Sequence, residues 1–181
     1  MSRLPPYEVI QNAYLVNDVD EAVGRLTRTA GYGPWMILRH VELPKVWYRG
    51  KPAVVDMSAA FTQAGDVQIE LIQQHNDAPS CYRDLYPKGK QGFHHTAMFV
   101  PDYEEAKKAY EDAGCPCAQL FELPDGGLAA YMDTSAVNGH MIEIYKESEG
   151  IRALYRMVRE FVADNDRDAV MDGGSINRIM V

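Results

Sequence analysis

His95-Thr96-Ala97-Met98-Phe99-Val100-Pro101-Asp102-Tyr103-Glu104-Glu105-Ala106 reads as a strand, a turn and the opening of a helix. An echo of it stands near the N-terminus, Gln11-Asn12-Ala13-Tyr14-Leu15-Val16-Asn17-Asp18-Val19-Asp20-Glu21-Ala22. In both, an Asp is followed three residues later by Glu (Asp18 and Glu21, Asp102 and Glu105), the spacing of a capping-box-like helix start. Later in each copy comes a second matching strand, Gln68-Ile69-Glu70-Leu71 and then Met141-Ile142-Glu143-Ile144. Repetition at this scale fixes the architecture before any single residue is weighed.

Working outward, Val19, Ala22, Val23, Leu26 and Ala30 recur at helical steps, and Ala106, Ala109, Tyr110 and Ala113 repeat that face. Both helices run out at Ala-Gly, Ala30-Gly31 and Ala113-Gly114, where glycine suits the left-handed position past a helix end. Strands are expected around Trp35–Glu42, Val54–Gln63 and Asp66–Gln73, and again around Ala118–Leu123, Leu128–Asp133 and His140–Tyr145. Turn residues separate them, among them Gln63-Ala64-Gly65-Asp66, Pro124-Asp125-Gly126-Gly127 and Asn138-Gly139. The order in each half is β-α-β-β-β.

Residues 1–146 therefore read as one domain of two modules, about 7–75 and 93–146, joined by a polar, irregular linker over 76–92. Residues 147–181 form a separate segment. Ile151, Leu154, Tyr155, Val158, Phe161 and Val162 make an amphipathic stripe, so 148–163 is expected as a helix on the body or on a partner chain. The pattern assigns no structure to the tail from Asp164 to Val181.

The 181 residues, 46% hydrophobic and 24% charged, fit one ordinary domain that folds without disulfide or metal support. A net charge of −8 argues against nucleic acid and against an anionic membrane surface as partners. The three cysteines, Cys81, Cys115 and Cys117, have no framework spacing and read as buried or incidental thiols. No stretch is long and apolar enough to span a bilayer, and Met1–Pro6 carries no apolar leader, so the expected compartment is the cytoplasm.

The repeat also aligns four polar side chains, Gln11, Glu70, His95 and Glu143. Alternate residues of a strand share a face. Gln11 goes with Ala13 and Leu15, His95 with Ala97 and Phe99, Glu70 with Gln68 and Ile72, and Glu143 with Met141 and Tyr145. Val67, Ile69, Leu71, Ile142 and Ile144 are left for helices to cover. A carboxylate on an inner sheet face is costly unless it is paired or holds a cation. Three oxygen donors and one imidazole suit a divalent ion such as Zn, Ni, Co, Mn or Mg. The competing reading is that the glutamates face solvent on the wet side of an antiparallel sheet. By parity His94 falls on the face opposite His95, as a hydrogen-bonded packing residue. His40, His75 and His140 read as surface histidines.

These residues, in this order, resemble the vicinal oxygen chelate superfamily, also called the glyoxalase/bleomycin-resistance/dioxygenase superfamily. The resemblance covers roughly residues 7–146, and His95–Asp102 and Gly139–Ile144 are its most typical stretches. It implies an α+β fold of two tandem βαβββ modules forming a cupped mixed sheet, here with a C-terminal helix added. It also implies a divalent metal held by Gln11, Glu70, His95 and Glu143, a set similar to that of glyoxalase I and of methylmalonyl-CoA epimerases. One histidine among the four argues against an iron dioxygenase of aromatic compounds, and an intact set argues against a non-catalytic small-molecule binder; both stay as alternatives.

The implied chemistry is that of an isomerase, epimerase or lyase acting by proton transfer next to a carbonyl, through a metal-stabilised enolate. The substrate is a small molecule, with an acyl-CoA among the options. By the resemblance Glu143 is the first choice as base and Glu70 the second. Val46-Trp47-Tyr48-Arg49-Gly50-Lys51-Pro52 is an unusually aromatic and basic loop. Arg39, Arg49 and Lys51 are candidates for an anionic substrate group, and Trp47 and Tyr48 for covering the substrate. A homodimer is expected, with the modules free to pair within one chain or between two.

Overall fold

The computed structural model describes residues 7–174; residues 1–6 and 175–181, which include the ends of the N-terminal stretch and of the tail, lie outside the described residues. The first module supplies β1 (Gln11–Leu15), α1 (Val19–Ala30), β2 (Trp35–Leu38), the hairpin β3 (Lys45–Tyr48) and β4 (Lys51–Ala53), β5 (Met57–Ala64) and β6 (Val67–Gln74). A short helix α2 (Cys81–Leu85) precedes the second module, β7 (Gly92–Phe99), α3 (Tyr103–Asp112), β8 (Cys117–Glu122), β9 (Leu128–Met132), α4 (Ser135–Asn138) and β10 (Met141–Lys146). The chain continues into α5 (Glu149–Asp164) and β11 (Val170–Gly174).

Both expected helix starts form as the sequence dictates. The Asp18 carboxylate accepts from the Glu21 N–H at 2.8 Å and that of Asp102 from Glu105 N–H at 2.9 Å. Gly31 ends α1 in the left-handed region, at φ 72°. Val19, Ala22 and Val23 of α1 cover Ile37, Ala60, Ile69 and Leu71 on the outer face of the first module, and Ala106 and Tyr110 of α3 cover Met98, Ala130 and Ile144 on the second.

The strands join one mixed sheet in the order β11-β2-β5-β6-β1-β7-β10-β9-β8-β3-β4. Parallel pairs β1–β6 and β7–β10 flank an antiparallel β1–β7 seam, so the two modules meet back to back within one chain. The inner faces of both halves contribute to a single core that includes Leu38, Phe61, Ile72, Phe121 and Tyr131, which makes the sheet a cup.

Two features depart from the sequence expectations, the tail gains a strand where none was assigned, and the C-terminal helix takes the first of its two expected places, on the body. Val46–Pro52 is not a loop but the body of a hairpin that turns at Arg49 and Gly50, at φ 46° and 77°, and pairs with β8 of the other module. That positive-φ pair is the geometry a two-residue hairpin turn needs. The linker is not irregular throughout: α2 buries Cys81 and Tyr82, and Ser80 caps it by accepting from Arg83 N–H. The tail adds β11 as a parallel strand on β2, Val170 opposite Trp35. The amphipathic helix α5 lies over the mouth of the cup, where Ile151, Leu154, Tyr155 and Val158 are buried in the inner core. No helix among the described residues is long and apolar enough to cross a membrane.

Candidate metal centre

Register places the four aligned side chains together. Across the seam, Glu70 stands opposite Ala13, Ala13 opposite His95 and His95 opposite Met141. The adjoining row runs Gln68, Gln11, Ala97, Glu143. Residues two apart on a strand share a face, so both rows look into the cup. Ala13 and Ala97, one methyl each, form the floor between the four longer side chains. All four are buried: Gln11 is 1% exposed, Glu70 7%, His95 0% and Glu143 3%. His95 Nε2 lies 3.1 Å from Glu143 Oε2 and 3.6 Å from Glu70 Oε2.

A β-bulge sets the imidazole. Pairing along β7 jumps from Phe93, opposite Tyr14, to His95, opposite Ala13, so His94 is the extra residue. Strand parity puts His94 outside, but the bulge turns it inward, where it packs at 5.0 Å from the Tyr82 ring and 5.9 Å from that of Tyr131. The sequence holds no mark of the bulge, so parity alone assigns His94 to the wrong face.

The hydrogen bonds then fix the His94 tautomer and the direction of its bond to His95. His94 Nε2 lies 3.1 Å from the Cys81 carbonyl oxygen, which only accepts, so Nε2 carries the hydrogen. Burial and the neighbouring His95 push His94 down to about 3, so the ring is neutral and its Nδ1 accepts. The His95 Nδ1 at 2.9 Å must therefore donate. With Nδ1 turned to His94, the ring presents Nε2, buried and without a hydrogen-bond partner, to two carboxylates. In the unprotonated form that a metal ligand requires, Nε2 would meet carboxylate oxygens lone pair to lone pair, and a cation between them would turn those contacts attractive.

The remaining ligands are oriented too. Gln11 Nε2 donates to Gln68 Oε1 at 2.7 Å, which directs Gln11 Oε1 towards Tyr145 Oη, 3.4 Å away. Tyr145 Oη donates to Glu143 Oε2 at 2.7 Å, and burial with the Glu143 charge raises Tyr145 well above its usual range, keeping that donor protonated. Burial, then Glu143, likewise raises Glu70 well above the usual carboxylate range. Two carboxyl groups, an amide oxygen and an imidazole grouped in one buried place fit a divalent metal ion. Gln11, Glu70, His95 and Glu143 would hold it. Parity places Gln68 and Tyr145 on the right face but gives them no role; their signal is that each stands beside a ligand on that face.

Above this floor, Leu38, Met57, Phe61, Phe121 and Tyr131 from the sheet and Ile151, Leu154 and Tyr155 from α5 line a cavity of about 60 Å³. Among the described residues, no lysine or arginine lines its walls. The five residues offered for substrate contact stand elsewhere. Arg39 is paired with Asp20 at 2.7 Å and Asp172 at 2.7 Å, and Arg49 with Asp84 at 2.8 Å and Asp133 at 2.9 Å. Tyr48 donates to Asp84, Trp47 is half-buried opposite Pro52, and Lys51 is exposed on β4.

A sequence model of the Glyoxalase/Bleomycin resistance protein/Dioxygenase superfamily matches residues 10–131. No match was found among curated proteins. Solved structures are similar in fold. A hypothetical protein from Bacillus halodurans C-125 superposes with a TM-score of 0.56 at 17% identity, covering 80% of this chain and 97% of that one. A variant of Streptomyces coelicolor methylmalonyl-CoA epimerase, in complex with 2-nitronate-propionyl-CoA, gives 0.52 at 14% identity, covering 79% and 96%. The epimerase from Mycobacterium tuberculosis gives 0.52 at 14%, covering 80% and 91%. With the family model spanning most of the two modules, the chain belongs to the glyoxalase/bleomycin resistance protein/dioxygenase superfamily.

Proposed function

We propose that this protein is a metal-dependent isomerase, epimerase or lyase that moves a proton next to the carbonyl of a small, uncharged compound. The observation that carries the reading is the buried His95 Nε2, without a hydrogen-bond partner, facing the Glu70 and Glu143 carboxyl groups. A divalent ion held there supplies a Lewis acid for the carbonyl oxygen and lowers the cost of negative charge developing on it. Glu143 takes the proton, and the Tyr145 hydroxyl holds one of its oxygens, leaving the other to face the substrate. Glu70, across the Ala13–Ala97 floor, is placed to deliver a proton from the opposite side, which would make the reaction an epimerisation.

The walls set the substrate class. Two carboxylates balance one divalent charge, so nothing remains to neutralise an anionic substrate, and no lysine or arginine among the described residues lines the cavity. The cavity beneath α5 is small, about 60 Å³, roughly the volume of a few waters. An acyl-CoA would have to present only its acyl end beneath α5. The test is exchange of substrate α-protons with deuterated solvent, followed by NMR over a panel of small α-hydroxy and α-keto compounds. Glu143→Gln should keep the fold and lose about 10²–10⁴-fold in exchange rate. An unchanged rate in that variant would remove Glu143 from the role of base.

A further inference from the structure

The ends of β2, β5 and β6 bring together a second set of ligands outside the cup. His40 follows β2, Asp56 precedes β5 and His75 follows β6. The ladder continues past the strands: His75 N–H donates to Asp56 O at 2.8 Å, and Val41 N–H donates to Met57 O at 2.8 Å. Three adjacent strands thus hold the three residues side by side. His40 Nδ1 lies 2.7 Å from Asp56 Oδ1, and the two imidazole rings stack at 4.4 Å. Ser58 ties the group from below, its Oγ 2.7 Å from His75 Nε2 and accepting from His40 N–H at 3.2 Å.

We infer that His40, Asp56 and His75 form a second metal site, for a borderline transition-metal ion of the Zn(II), Co(II) or Ni(II) kind. One ligand atom from each lies within 4.8 Å of the others. Tetrahedral ligands at about 2.0–2.2 Å from a zinc ion stand about 3.3–3.6 Å apart, so closing the site needs only side-chain rotation. His40, with 65% of its side chain exposed, has the room to turn out of the stack. Its backbone is held at φ 47°, a conformation a non-glycine residue seldom takes. Two imidazoles and one carboxylate select against Mg and Ca, which prefer oxygen.

The simpler alternative is a solvent-exposed His40–Asp56 ion pair with a neighbouring ring. That alternative gives His75 only its bond to Ser58 and its stack on His40, and holds His40 in a sparse backbone region for one exposed ion pair. Arg39 is near enough for its charge to act on His75, but Asp20 and Asp172 pair with it and Asp56 acts in the opposite sense. An ion here would clip together the ends of three strands at the first module's side of the sheet.

The test is equilibrium dialysis of the full chain against Zn(II), read by elemental mass spectrometry, for the wild type and for His40→Ala, His75→Ala and Asp56→Asn. Each of the three should lose one zinc per chain relative to the wild type, and His95→Ala with His75→Ala should lose two. Because all three positions are at the surface, circular dichroism should show an unchanged fold. With Co(II), the d–d absorption of a His/His/Asp centre should persist in His95→Ala and vanish in His75→Ala. The inference is independent of the cup: loss in His95→Ala alone tests the cup, and loss in His75→Ala alone tests this site. Zinc content and affinity unchanged by His40→Ala, His75→Ala and Asp56→Asn together would overturn it.

Discussion

Replacing His94 by phenylalanine isolates the hydrogen-bond relay that holds His95 with Nδ1 turned away from the cup and Nε2 towards the carboxyl groups. The ring is fully buried between Tyr82 and Tyr131, so a phenyl group of similar size keeps the packing. What is lost is the acceptor for His95 Nδ1–H at 2.9 Å and the donor to Cys81 O at 3.1 Å. Each orphaned group costs about 1–3 kcal/mol, so the variant should melt lower but fold. The larger consequence is for the metal. Removing the group that orients a ligating histidine typically weakens metal binding about 10–100-fold, which is roughly 1.4–2.7 kcal/mol. The assay is competition for Zn(II) against a chromophoric chelator, in a His75→Ala background so that only the cup is read. His94→Gln, whose carbonyl can still accept from His95 Nδ1–H, should recover part of the loss. A folded His94→Phe that binds zinc as tightly as its parent would refute the relay.

Glu70 gives the protein a pH signature. Its carboxyl is raised by burial and by Glu143, so without metal its contribution to stability is full below the unfolded value of about 4.3 and is lost as pH rises through the folded one. A cation must displace that proton, so the Tm gained on adding metal should grow as pH rises from about 5 to 8; a gain independent of pH would contradict it. Leu154→Ala, at a position 4% exposed where α5 meets the cup, should cost about 2–5 kcal/mol in urea unfolding and widen the cavity. The same variant should accept bulkier carbonyl compounds in the exchange assay, and unchanged selectivity would remove α5 from substrate choice.

The fold is legible in the sequence because two signals agree. The Asp18/Glu21 and Asp102/Glu105 caps repeat, and alternation along Gln68–Ile72 and Met141–Tyr145 separates a polar inner face from an apolar outer one. The convergence of Gln11, Glu70, His95 and Glu143 follows from that parity, since matched strands of a repeat place matched residues about the same seam. What the sequence hides is set by tertiary structure. A bulge at His94 leaves no local trace, because it depends on how β7 pairs with β1. A five-residue helix such as α2 shows no periodicity, although its Cys81 carbonyl anchors the relay. The His40–Asp56–His75 group joins residues that are distant along the chain and share no pattern until β2, β5 and β6 are aligned. That α5 lies over the cup cannot be read from its stripe, which fits the chain's own body as well as a partner.

The most direct test of the cup as a metal centre is the metal content of purified wild type and His95→Ala, by elemental mass spectrometry after preparation without chelator and dialysis against Zn(II). The expected result is one more divalent ion per chain in the wild type than in the variant, with both proteins folded. Equal metal content in the two would show that the lone pair of His95 and the carboxylates of Glu70 and Glu143 hold no ion, and would contradict the proposed chemistry at its source.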